Sequence, residues 1–402
     1  METKRREALR MAGVPFSDIR VIFERATYLE KEGVPIIHME LGRPDFDTPP
    51  HVKIAAEGAL EQGLVHYTSN YGLFELRQAV ALKLQRDNGL NYDPDGEIAV
   101  TVGVSEAIFS VMSAFLDQGD EVIVPGPSWL NYLRIPAMMG AQVVPLPLPA
   151  KDGFQLEPEM LEKAITPLTK MLVLISPHNP TGAVLQKKTL ESVAALVQQH
   201  DILVISDEIY EKIIYDGQAH VSIAALPGMK ERTFLLNGFS KAYSMIGWRL
   251  GYVATDRELM GPLIRVHQYV TTCATSFAQA GAIQALNGPQ DCVAQMVAAF
   301  QRRRNLVVSA LNRMPGVACH VPQGAFYAFA DISAFGLSGQ ELALYLLEEA
   351  GVAVVPGEAF GDHGRGYLRI SYANSYDKLA EGLERMGRAL ARLSPTGRAW
   401  QR

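Results

Sequence analysis

Lys241 stands directly behind Ser240 and eight residues before Arg249 in the stretch NGFSKAYSMIGWRLGY, residues 237–252. Its neighbours Gly238, Phe239, Ala242, Gly247, Trp248 and Gly251 are small or aromatic, which points to a partly buried setting. Burial makes an ammonium costly and lowers its pKa, and a lysine so placed becomes a nucleophile. Other residues of chemical interest follow short apolar runs. Gly103, Val104 and Ser105 follow IAVTV and open a helical pattern with Ser105 as the expected N-cap. Backbone N–H groups at such a turn suit a phosphate. Asn179 lies in SPHNPTG (176–182), and its bond to Pro180 is a candidate for the cis form. Asp207 follows the run ILVIS at the expected strand end, with Tyr210 three residues further on. An Asn, an Asp, a Tyr, a Lys and an Arg gathered on one rim fit a pyridine-aldehyde phosphate. Lysine forms the Schiff base, a carboxylate keeps the ring nitrogen protonated, and arginine, hydroxyl and helix N–H groups take the phosphate.

The elements that must position these residues are legible as alternation. Seven apolar runs, IAVTV (98–102), EVIVP (121–125), QVVPL (142–146), MLVLI (171–175), ILVIS (202–206), TFLLN (233–237) and LGYVA (250–254), show little polar alternation, as strands buried on both faces do. Helical patterns separate several of them; in SEAIFSVMSAFL, Ile108, Val111, Met112 and Phe115 share one face. The expectation is an α/β domain with a mostly parallel seven-stranded sheet, whose ligands bind beyond the strands' carboxyl ends. After residue 288 the pattern changes to a long helix near 290–313, short strands near GAFYAFADI and YLRISYA, and a last helix in SYDKLAEGLERMGRALARL. This predicts a large domain over 46–288, a smaller α+β domain over 289–402, and an N-terminal segment, 1–45, packed with the latter. The tail SPTGRAWQR is expected to be loose.

A chain of 402 residues suits such a division. A net charge of −6 argues against a nucleic-acid partner. Cys273, Cys292 and Cys319 lack metal-type spacing and read as core thiols in a reducing compartment, and the nine histidines show no ligand spacing either, so no metal is expected. METKRREALRMAG lacks the apolar core of a signal peptide, and no run approaches the length of a membrane helix. These features predict a soluble cytoplasmic protein. The arginines 302–304 read as a helix face rather than a ligand site.

In order and spacing, LGRPDFDTP (41–49), YTSNYGLFELR (67–77), SPHNPTG, SDEIYE, FSKAYSMIGWRLGY, VAVVPGEAFG (352–361) and YLRISYANS (367–375) make nearly the whole chain resemble the fold type I pyridoxal-phosphate enzymes. The resemblance is to the class I/II aminotransferases, in the prokaryotic-type aspartate/alanine/aromatic subgroup. It implies pyridoxal 5'-phosphate as cofactor, with Lys241 as the Schiff-base lysine and mover of the α-proton. It also implies Asp207 at the pyridine nitrogen, Tyr210 and Asn179 at the ring hydroxyl, and Trp129 on the ring face. Arg249, Ser240 and the turn Gly103, Val104, Ser105 match the phosphate site, and Tyr67 matches a tyrosine that reaches the neighbouring subunit's phosphate, which implies a homodimer. On the substrate side, Arg369 matches the fork that grips the α-carboxylate, with Gly42 lining the cleft beside Asn179 and Trp129.

The implied reaction moves an amino group from an L-amino acid to a 2-oxo acid, with 2-oxoglutarate the expected acceptor. Elimination, replacement, cyclisation or oxidation on the same scaffold is the alternative, since fold does not fix function. The chain departs from the pattern at Gly238, where relatives often carry a serine, and at Arg43, where many carry a glutamate. Arg43 and Tyr71 are candidates for lining the side-chain pocket.

Overall fold

The computed structural model describes residues 7–393, so the tail from residue 394 onward lies outside the described residues. After a short 3-10 helix (Leu9–Gly13) come α1 (Asp18–Lys31), which buries Ile22 and Ala26, one turn apart, and the short strand β1 (Ile37–His38). Two helices follow, α2 (Pro50–Glu61) and α3 (Phe74–Asn88). Then comes the alternation that the apolar runs predict. It runs β2 (Ile98–Thr101), α4 (Gly103–Phe115), β3 (Glu121–Gly126), α5 (Leu130–Met138), β4 (Gln142–Pro147), α6 (Pro158–Ala164), β5 (Thr169–Ile175), α7 (Lys187–Gln199) and β6 (Leu203–Asp207). It closes with β7 (Thr233–Gly238), β8 (Gly251–Ala254), α8 (Arg257–Val270) and α9 (Ser276–Asn287).

Those seven strands form one sheet in the order β2-β8-β7-β6-β5-β3-β4. Every pair is parallel except those of β8, which runs antiparallel to β2 and to β7. The sheet's centre is dry: Val204, Ile205, Phe234, Leu235 and Leu236 have no exposed surface. Each such side chain contributes about 1.5–3 kcal/mol of transfer free energy.

The remainder is α10 (Asp291–Leu311), β9 (Ala318–Cys319), β10 (Tyr327–Asp331), α11 (Gly339–Ala350), β11 (Val352–Ala353), β12 (Val355–Pro356), β13 (Tyr367–Ser371) and α12 (Tyr376–Leu390). A four-stranded sheet, β12-β13-β10-β9, carries Arg369 at its centre, and β1 pairs with β11 in parallel. Helix α1 packs on β12 and α11. The arginine run is more engaged than a plain helix face: Arg304 is 3% exposed and forks onto Asp216, and Arg303 pairs with Asp45. Of the three thiols, all free, Cys319 alone is buried; Cys273 and Cys292 are half-buried. Among the described residues no helix is long and apolar enough to cross a membrane.

Candidate active site

A cleft of about 440 Å³ opens at the carboxyl ends of the central strands. Gly42, Val104, Ser105, Trp129, Asn179, Asp207, Tyr210, Ser240, Lys241, Arg249 and Arg369 all line it. Residues from seven separate sequence stretches thus meet at the edge where an open sheet binds ligands.

Lys241 follows the end of β7. Its Nζ donates to Gly42 O at 2.6 Å and lies 5.7 Å from the Tyr210 ring centre and 5.8 Å from that of Phe326. Burial, then the nearby Arg369 and Arg249 guanidinium groups, lowers its pKa to about 8. The amine is therefore substantially neutral at mildly alkaline pH, as a nucleophile must be. Gly42 has no room for a side chain, because a Cβ there would sit 2.7 Å from the Tyr327 hydroxyl.

Asp207 is the last residue of β6 and is 6% exposed. Its Oδ2 accepts from the Tyr132 hydroxyl at 2.8 Å and its Oδ1 from the Ile209 N–H at 3.1 Å. Burial pushes the carboxyl up to about 6, against these donors. It faces the cleft with no ion pair of its own among the described residues, so a protonated ring nitrogen is the partner its chemistry lacks. Tyr132 has no family-independent signal beyond its place three residues after Trp129, and sequence reasoning missed it.

Tyr210 is buried, and its hydroxyl pairs with that of Tyr327 at 2.8 Å. Burial holds the phenol well above its ordinary pKa, so it stays neutral. Asn179 lies between a cis Ser176–Pro177 and a cis Asn179–Pro180 bond. Its Oδ1 accepts from Arg369 Nη1 at 3.1 Å, while Arg369 Nη2 donates to Glu40 O at 2.8 Å. The guanidinium lies 4.4 Å from the Tyr327 ring centre and 4.9 Å from that of Phe360. Stacked and bonded on both sides, it is held as a rigid fork.

The turn after β2 reverses at Gly103, with φ +74°, where a Cβ would meet Arg249 Nη2 at 2.6 Å. Helix α4 starts at Gly103 itself, so the N-cap is Val102 and Ser105 sits inside the first turn. The expected Ser105 cap is corrected: the Val102 N–H is taken instead by Glu106 Oε2 at 3.1 Å. Unbonded first-turn N–H groups, Arg249 and Ser240 share one end of the cleft. Arg249 adopts a left-handed φ of 53°, a costly conformation that clusters at functional sites. Gly238 stands where a serine is often found, and a Cβ there would lie 2.8 Å from Gly251 Cα on β8.

Tyr67, expected at the phosphate of a neighbouring subunit, is 86% exposed and does not line this protomer's cleft. Two candidates for the side-chain pocket also fall outside it. Arg43 is exposed, and Tyr71 turns to the Arg77 guanidinium, 5.7 Å from its ring centre. In their place the cleft mouth is walled by Ile19, Phe23, Leu41 and Leu130, with Arg20 among them. Three of these come from α1, which the sequence reading did not connect with the site.

The arrangement can bind an anion at one end, a planar protonated ring over Asp207, and a carboxylate on Arg369, with an amine between. A family model described as aminotransferase class I and II matches residues 34–386. The chain is 43% identical to aromatic-amino-acid aminotransferase 2 of Thermococcus litoralis, over 93% of this chain and 95% of that protein. It is 44% identical to aspartate aminotransferase of Pyrococcus abyssi, with the same coverage, 93% and 95%. The crystal structure of aspartate aminotransferase from Rhizobium meliloti superposes with a TM-score of 0.93 at 42% identity, covering 97% of this chain and 100% of that one.

Proposed function

The chain belongs to the class I and II aminotransferases, and from that premise we propose how its own residues carry the reaction. It is a pyridoxal-phosphate-dependent enzyme of fold type I that moves an amino group from an L-amino acid to a 2-oxo acid. The cofactor, carried as a Schiff base on Lys241, supplies an electron sink for the pair released when the substrate Cα–H bond breaks. The observation that carries the residue assignment is Asp207: a buried carboxylate, raised to about 6, that faces the cleft with no ion pair of its own among the described residues.

Asp207 holds a proton at the ring nitrogen, and Tyr132 and the Ile209 N–H aim it. Tyr210 and the Asn179 amide donate to the ring hydroxyl, and Trp129 covers a ring face. The 103–105 turn, Ser240 and Arg249 hold the phosphate. Arg369 grips the α-carboxylate in a two-pronged bond, with Gly42 leaving space beside it. Lys241 Nζ takes the α-proton as general base and returns it as general acid.

The walls Ile19, Phe23, Leu41 and Leu130 favour an apolar or aromatic amino acid as donor. Arg20, exposed and paired among the described residues with Glu24 across one helical turn, is placed to meet the distal carboxylate of a dicarboxylic acceptor such as 2-oxoglutarate. The names of the relatives, aromatic and aspartate, support testing both kinds of donor. Tyr67, exposed on this protomer, is assigned to the phosphate of a second copy, which makes the working unit a homodimer with shared sites. We read the chain as an N-terminal segment (1–45), a large domain (46–288) and a small domain (289–402), working in the cytoplasm.

Purified protein given cofactor, single L-amino acids and 2-oxoglutarate should form one glutamate per oxo acid released, and Lys241→Ala should abolish that turnover. Ammonia release without glutamate, or full turnover by the variant, would refute the assignment.

A further inference from the structure

Asp207 and Tyr210 are each followed by a glutamate that turns the other way. Glu208 is 1% exposed and the Glu211 side chain 7%, and neither lines the cleft. Glu208 Oε1 accepts from the Ser206 hydroxyl at 2.8 Å and the Ser222 hydroxyl at 2.6 Å, and its Oε2 accepts from His220 Nε2 at 2.7 Å. Glu211 pairs with Lys83, which is 3% exposed on α3, and accepts from Asn88 Nδ2 at 3.0 Å. Lys83 Nζ also donates to Asn88 Oδ1 at 2.8 Å.

The segment between these anchors belongs to no helix or strand. Its own backbone bonds are Glu208 N–H to Leu236 O at 2.9 Å, Glu211 N–H to Glu208 O at 2.9 Å and Ile213 N–H to Tyr210 O at 2.8 Å. A turn this lightly bonded needs outside anchors to hold two side chains steady. The anchors come from three directions: Ser206 on β6, His220 and Ser222 from the following loop, and Lys83 and Asn88 from α3. A buried carboxylate left short of donors is costly, and here each is satisfied. Removing one partner of such a pair leaves an uncompensated buried charge, so the set resists partial rearrangement. Glu208, Glu211 and His220 each bring a ligand atom within 4.8 Å of the others. Lys83 already supplies positive charge to Glu211 and His220 an N–H donor to Glu208, so anchoring accounts for the cluster without an ion.

We propose that Glu208 and Glu211, latched to His220 and Lys83, are positioning residues that fix Asp207 and Tyr210 against the cofactor ring. The inference rests on the roles given above to Asp207 and Tyr210. The sequence DEIYE (207–211) then divides into cleft-lining Asp207, Ile209 and Tyr210 and rear-facing Glu208 and Glu211: Asp207 and Tyr210 act, and Glu208 and Glu211 hold. A displacement of about 1 Å at such groups costs on the order of a hundredfold in rate.

The test compares reconstituted holoenzymes of Glu208→Gln, Glu211→Gln, His220→Ala, His220→Gln and Ser222→Ala with the unaltered protein. The latch predicts a displaced visible band of the lysine-bound cofactor and a kcat at least about tenfold lower for Glu208→Gln and Glu211→Gln. The KM for the amino acid, set at Arg369, should change less than about threefold. His220→Gln, which keeps an N–H donor toward Glu208, should recover most of what His220→Ala loses. Variants with an unaltered band and kcat would overturn the proposal even where their melting temperature falls. If the larger changes prevent folding, Ser222→Ala removes a single hydroxyl from Glu208 and should lower kcat about two- to fivefold; an unchanged kcat there overturns it equally. Absence of the band in the unaltered protein would refute the cofactor reading instead, so the two failures are separable.

Discussion

The Tyr132 hydroxyl donates to Asp207 Oδ2 at 2.8 Å, joining the first turn of α5 to the end of β6 inside a buried pocket. Burial drives the Asp207 carboxyl up and this bond draws it down, so the phenol helps keep the carboxylate charged. Tyr132→Phe removes a hydrogen bond to a charged group, worth about 1.5–3 kcal/mol. The expected result is a kcat about 10–100-fold lower with little change in the KM of the amino acid. Steady-state kinetics of the variant check this, and an unchanged kcat would show that Asp207 needs no such support.

Only the neutral amine attacks an aldehyde, and burial together with two arginines brings Lys241 to about 8. The rate at which cofactor-free protein takes up pyridoxal phosphate should therefore climb with pH through a midpoint near 8 and level off well above it. Stopped-flow absorbance across that range reads the midpoint. A midpoint near 10, the ordinary lysine range, would contradict the buried setting.

Arg369 offers two nitrogens in a plane that its neighbours fix, and a lysine cannot reproduce that fork. Arg369→Lys should raise the KM for every amino acid about 100-fold, roughly 2.7 kcal/mol, whatever the side chain. A selective loss for one donor class would place Arg369 in the side-chain pocket instead.

His38 lies between Glu40 at 2.7 Å and Glu30 at 3.0 Å, and its bond to Glu40 leads in raising its pKa from 6.5 to about 9. A group raised on folding stabilises fully below its unfolded pKa and loses that contribution as pH rises through its folded one. His38 should therefore stabilise the fold up to pH 6.5 and cease to do so as pH passes about 9. The effect should be about 1–2 kcal/mol, discounted for solvent around a ring that is 22% exposed. Denaturant melts of the protein and of His38→Gln across that window should differ at low pH and converge at high pH. Parallel curves would remove His38 from the stability of the α1–β1 connection.

The sheet was legible because its strands are buried on both faces: each of the seven apolar runs became one of its seven strands. The residues at the strand ends were legible for the same reason, since Asp207 or Asn179 next to a dry strand stands out. The Ser105 cap failed because Gly103 reverses the chain early, a backbone event that composition does not reveal. Tyr132 was missed because a tyrosine at a helix start carries no mark of which carboxylate it will meet 75 residues away. Ile19, Arg20 and Phe23 were missed because α1 reaches the cleft through packing on β11, β12 and α11, all more than 300 residues away in sequence. Glu208 and Glu211 look like ordinary acids after a strand until Lys83 and His220 are seen behind them.

The most direct measurement is the visible absorption spectrum of the purified, cofactor-loaded protein, before and after single amino acids and then 2-oxoglutarate. The account predicts a band of the lysine-bound cofactor that an amino acid converts to the band of the aminated cofactor and that 2-oxoglutarate restores. Lys241→Ala should lack the first band. A loaded protein that shows no such band, or one whose band an amino acid bleaches without recovery on adding the oxo acid, would contradict the assignment of Lys241 and of amino-group transfer at this cleft.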